Sequence, residues 1–236
     1  MDALLLIIIS VVVVIAAFAI AYVFEATARK RNNTKEKILT TRKIVAIGIM
    51  SAISSVLMAF GEFPLPFIPP FYKMDFSELP VLLTGFAYGP VAGVFAEFLK
   101  VLLKLIFKGT GTAYVGELAN FTVGVCLVLP ASIFYYFKKT KKRALISCAL
   151  GVVCMTVVGA LFNAYYLIPT FAVMFGGMET IMGMAQSVNK NIDSLSKIIF
   201  WGTIPLNIIK GVAVSLVTML IYKPLSRFLK TPGEGK

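Results

Sequence analysis

Residues 74–107 read MDFSELPVLLTGFAYGPVAGVFAEFLKVLLKLIF. The stretch is apolar enough for a hydrocarbon interior, yet Glu97, Lys100 and Lys104 recur at i, i+3 and i+7, the spacing of one helix face. Charges at membrane depth cost several kcal/mol unless they are paired or face a wet cavity, so this face points into a helical bundle. Glu97 and Lys100 are spaced to pair directly, with Lys104 extending toward the surface. Tyr88-Gly89-Pro90 is a turn signal that divides the stretch into two short spans, near 78–88 and 91–107.

The rest of the chain agrees with that solvent. Of its 236 residues 58% are hydrophobic, and apolar runs recur along the whole length. A crossing helix needs about 20 predominantly apolar residues. Further spans are expected at 4–24, 44–60, 115–137, 144–169 and 198–222. MDALLL has no basic n-region, so the first span reads as an uncleaved anchor with its N-terminus outside. Pro64, Pro66, Pro69 and Pro70 stop the second span, and the more polar stretch 171–197 reads as the longest loop of the second half.

The net charge of +12 is a topology signal rather than a nucleic-acid footprint, because sixteen of the 23 basic residues sit between or after the apolar runs. They fall in 29–43, in 138–143 and in the tail after Tyr222, and short basic segments stay cytoplasmic. Counting crossings puts all three on the same side. The expected architecture is all-α and polytopic: an extra N-terminal transmembrane helix (1–28), a basic cytoplasmic linker (29–43) and a six-helix membrane domain (44–230).

Several chemistries are excluded or weakened. No histidine is present, which removes histidine-ligated metal sites and histidine bases, and no GxxxxGK[ST] loop is present for a nucleotide. Cys126, Cys148 and Cys154 lie inside apolar runs without paired spacing and read as buried free thiols. An intramembrane enzyme using Glu97 or Glu117 lacks a paired carboxylate cluster.

Three other features bear on binding. Asn207 and Lys210 share a helix face in PLNIIKG, and LFNAYYLIP in the preceding span supplies Asn163. Together they offer donors and acceptors suited to a heteroaromatic edge, although interhelical hydrogen bonds would explain either Asn alone. Gly48, Ser51, Ala52, Ser55 and Ala59 form a small-residue stripe on which another helix, of this chain or of a partner, can approach closely.

FYKMDFSELPVLLTGFAYGPVAGVFAEFLKVLLK, GTGTAYVGELANF and PLNIIKG resemble the substrate-binding S components of energy-coupling factor (ECF) vitamin transporters, most nearly those specific for riboflavin. The resemblance covers about 40–230. It implies a six-helix core that binds its vitamin near the outer face, with a transmembrane coupling subunit and two ABC-type ATPases as partners, and no catalysis, metal or resident cofactor in this chain. Thiamine is the alternative cargo. By the same resemblance Asn163, Asn207, Lys210 and Tyr72 would contact the ligand, with Glu97 and Lys100 as further candidates. The stripe, Gly48 and Ala52 above all, would meet the coupling subunit.

Overall fold

The computed structural model describes residues 3–34 and 37–229, with side chains from 7 to 222. Its helices are α1 (Ala3–Arg31), α2 (Thr41–Phe60), α3 (Glu78–Tyr88), α4 (Pro90–Lys108), α5 (Val115–Phe137), α6 (Lys141–Phe162), α7 (Ile168–Met174), α8 (Met178–Gln186), α9 (Leu195–Ile198) and α10 (Ile204–Leu229). Two π-helical segments, Asn163–Leu167 and Ile199–Thr203, fuse α6 to α7 and α9 to α10.

Among the described residues five runs are long and apolar enough to cross a membrane: Ile7–Arg31, Thr41–Phe60, Val115–Phe137, Lys141–Met174 and Leu195–Tyr222. Helices α3 and α4 complete the core in a different way. At 11 residues α3 is about 16 Å long, roughly half of a hydrocarbon core, so the span expected near 78–88 does not cross alone. The preceding loop folds inward to meet it. Ile68, Tyr72 and Met74 of that loop are buried, and Phe63 and Met74 exchange backbone hydrogen bonds of 2.8 Å.

The turn signal at 88–90 is realised as expected. Gly89, at φ +111°, ends α3 in a conformation that side chains rarely adopt, and Pro90 opens α4 without needing an N–H donor. Helix α4 then lies against α1, α2, α3 and α5, which is how a helix carrying Glu97, Lys100 and Lys104 stays out of lipid.

Arg29 of the first basic segment donates to the Tyr136 hydroxyl, two residues before the second, so both lie at one end of the bundle. The side chains of the basic tail lie outside the described residues.

Three further expectations change. Helix α1 runs to Arg31, past the boundary at 28. Residues 171–197 are largely helical: Gly176 and Gly177 reverse the chain at positive φ, and α8 packs Ile181 and Ala185 inward. The stripe on α2 splits between two faces. Ser51, Ser55 and Ala59 are buried, with the Ser51 hydroxyl donating to Ala96 O, whereas Gly48 and Ala52 are exposed. The first three are therefore an internal packing surface, and the outward small patch is Gly48 and Ala52.

Candidate functional site

A cavity of about 490 Å³ opens at the end of the bundle opposite the basic segments. The inward loop, α3, α4, α5, α6 and both π-helical segments contribute to its wall. Such a volume falls within the range of small-molecule sites. Tyr72, Asn163, Asn207 and Lys210 all line it, and Glu97 and Lys100 do not.

The two π-helical segments face each other across Tyr72. Its hydroxyl donates to Asn163 Oδ1 at 2.8 Å and lies 2.6 Å from Thr203 Oγ1, so the first residue of one segment and the last of the other meet on one phenol. A π-turn carries one residue more than an α-turn and re-aims the side chains around it, a device frequent at functional sites. Burial pushes the Tyr72 phenol above its usual range.

The two asparagines are not equivalent. Asn163 Nδ2 donates to Gly159 O at 2.8 Å and its Oδ1 accepts from Tyr72, so both ends are engaged. Asn207 is equally buried, yet its Nδ2 has no hydrogen-bond partner. Gly159 gives it room, because a Cβ there would sit 2.3 Å from that nitrogen.

Beneath these groups runs a chain of buried charges. Lys210 Nζ contacts Asp75 Oδ2 and Glu78 Oε2, each at 2.9 Å. Glu78 Oε1 accepts from Lys100 at 3.2 Å, and Lys100 pairs with Glu97 Oε1 at 2.6 Å. Glu97 packs against Gly124, where a Cβ would fall 2.1 Å from its Oε1. Glu97 and Lys100 are fully buried outside the cavity lining and support its wall through Glu78. Lys210, read from sequence as a cationic donor, also has a structural duty: it joins α10 to the inward loop and to α3.

Burial alone would raise the Asp75 carboxyl. The Lys210 ammonium, then Lys100 and a hydrogen bond from Ser77, hold it instead below the usual carboxylate range. A depressed carboxylate stabilises the fold above its ordinary range, and that contribution is lost only as pH falls through the folded value. The clamp is therefore closed at neutral pH.

At the cavity rim Lys104, expected to extend outward, pairs with Glu117 at 2.6 Å and donates to Gly109 O at 3.1 Å. Thr110 and Thr112 donate to the other Glu117 oxygen, which fixes the glycine-rich connection over the end of α4. Sequence reading missed Asp75, Glu78 and Thr203 as members of this site. The first two had a usable signal: two lysines at membrane depth require nearby carboxylates, and few exist in the apolar runs.

Residues 42–222 match the family model for the ECF transporter substrate-specific component. This chain belongs to that family. A riboflavin transporter RibU from Staphylococcus aureus is 36% identical over 80% of this chain and 93% of its own length. The riboflavin transporter FmnP of Bacillus subtilis is 28% identical over 81% and 96%, respectively. A structure described as the S component of a bacterial ECF transporter superposes with a TM-score of 0.61 at 34% identity, covering 80% of this chain and 98% of that one. As an S component the protein is a multi-pass protein of the bacterial cell membrane, and α1 lies outside the matched residues.

Proposed function

We propose that this S component captures riboflavin at the outer face of the membrane and delivers it to a transmembrane coupling subunit driven by two ABC-type ATPases. The observation that carries the reading is Asn207 Nδ2, a buried donor without a partner on the cavity wall. It lies one turn from Lys210 and shares the cavity wall with Tyr72 and Asn163. Riboflavin has a hydrogen-bonding pyrimidine end, an apolar dimethyl end and a polar ribityl chain, and a cavity with a few placed polar groups among Phe71, Val123, Met155, Leu167 and Leu206 suits it. The names of the relatives favour riboflavin over thiamine. The vitamin is cargo in this reading, and the chain, lacking a nucleotide-binding loop, is a binding subunit rather than an enzyme.

Titration of the detergent-purified protein with riboflavin, followed by quenching of flavin fluorescence, tests this. Saturable one-to-one quenching is the expected result; a flat titration, with thiamine binding in its place, would reverse the assignment.

The exposed pair Gly48 and Ala52 is the face offered to the coupling subunit, since a small-residue surface lets a neighbouring helix approach closely. Nothing lies within 4 Å of a Cβ built on Gly48, so bulk there is harmless to the isolated fold. Gly48→Leu and Ala52→Leu are expected to retain riboflavin binding and lose both co-purification with the coupling subunit and uptake into cells. Normal uptake by both variants would mean that docking uses another face.

A further inference from the structure

Helix α1 lies outside the family-matched residues, yet it is built into the core. Ala17 and Ala21 are buried with Val91, Val94, Phe121 and Val125 in one apolar cluster, and Phe18 meets Phe95 and Phe98 edge-on at 6.1 and 6.2 Å. Toward the end of α1 the contact turns polar. Glu25 is fully buried, and its Oε2 accepts the Val91 N–H at 2.9 Å. Val91 is the second residue of α4.

The first N–H groups of a helix have no partner within it and together carry partial positive charge. A residue just before the helix normally supplies an accepting oxygen. At α4 that residue is Gly89, which has no side chain to offer. A Cβ on Gly89 would lie 2.7 Å from Glu25 Oε2 and 2.8 Å from its carboxyl carbon, so the space a local cap would fill is occupied by the carboxylate of another helix. Arg29, one turn on and itself buried, holds Glu25 Oε1 at 3.8 Å and donates to Tyr136 on α5.

We infer that Glu25 is a positioning residue for the cavity: α1 caps α4 from outside and so sets the height at which α4 presents Lys100 to Glu78 and Lys104 to Glu117. Helix α4 runs between two glycine turns, Gly89 and Gly109, so contacts with neighbouring helices, this cap among them, set its axial placement. Helix α1 is thereby part of the binding protein rather than an anchor beside it. The effect on affinity rests on the riboflavin reading above; the cap itself does not.

The test compares full-length Glu25→Leu with Glu25→Gln, whose amide oxygen still accepts from Val91. Two readouts are needed: backbone hydrogen exchange in the first turn of α4 and riboflavin affinity of the folded protein. Glu25→Leu is expected to raise exchange at Val91 and to weaken riboflavin, each roughly 5- to 30-fold, while Glu25→Gln stays at parental values in both. Should the Leu variant not be recoverable, Glu25→Asp, one methylene short of Val91, is expected to shift both readouts in the same direction. Equal exchange in all variants would overturn the cap, and raised exchange with parental affinity would overturn the positioning role. If the parent binds no riboflavin, the functional reading falls, and the exchange comparison still decides whether Glu25 caps α4.

Discussion

Lys210→Met lowers the unfolding free energy of the ligand-free protein by about 3–5 kcal/mol, the penalty for removing one member of a buried ion pair. The reason lies in its partners. Asp75 and Glu78 both turn an oxygen to Lys210 at 2.9 Å, and with that ammonium gone Lys100 alone faces three carboxylates. Riboflavin affinity falls as well, by roughly 10- to 150-fold if the lost bond is charge-assisted. The two effects separate in the double variant. Lys210→Met with Asp75→Asn restores much of the stability, because Glu78 keeps Lys100, and leaves riboflavin binding impaired. Thermal unfolding in detergent and flavin titration of the same preparations check both statements. A single variant as stable as the parent would mean that the clamp is wet and weak.

Asn207→Ala weakens riboflavin by roughly 5- to 150-fold, the consequence of leaving a ligand acceptor buried without its donor at about 1–3 kcal/mol. Its effect on the ligand-free protein is small, since Nδ2 makes no hydrogen bond that the fold would lose. Asn163→Ala behaves in the opposite way. It frees the Tyr72 hydroxyl from one partner and Gly159 O from its side-chain donor, so stability falls before any ligand is present. Measuring melting temperature with and without riboflavin distinguishes the two: ligand-induced stabilisation nearly vanishes for Asn207→Ala, while for Asn163→Ala the ligand-free melting temperature drops. Parental affinity in the Asn207 variant would remove this residue from the site.

The helical framework was legible because hydropathy, prolines and glycines act locally. Tyr88-Gly89-Pro90 divides α3 from α4 through backbone constraints that no distant residue can override. What was not legible depends on neighbours. The periodicity of the α2 stripe finds its small residues but cannot say that Ser51 meets Ala96 while Ala52 meets nothing inside the chain. Asp75 and Glu78 read as the start of a span until their cations, 135 and 22 residues away, are in place. Glu25 reads as the polar end of an anchor, because its partner is a backbone N–H and leaves no trace in side-chain spacing. Helix α8 has an apolar face at Met178, Ile181, Met182 and Ala185, but at nine residues it is short enough to pass for loop.

The separation of Asp75 from Lys210 also has a meaning in time. Lys210 is synthesised 135 residues after Asp75, which at about 5–20 residues per second is roughly 7–27 s. During that interval Glu78 and Glu97 can already share Lys100, since all three lie on the α3–α4 hairpin, so this pair of helices enters the membrane largely neutralised. Asp75 accepts from the Ser77 N–H and feels Lys100, but its direct ion pair waits for Lys210. The inward loop that carries Asp75, with Tyr72, meets Asn163 first, and gains its bonds to Thr203 and Lys210 last, when the second π-helical segment and α10 arrive. A chain that stops before α10 therefore lacks both Asn207 and Lys210 on the cavity wall.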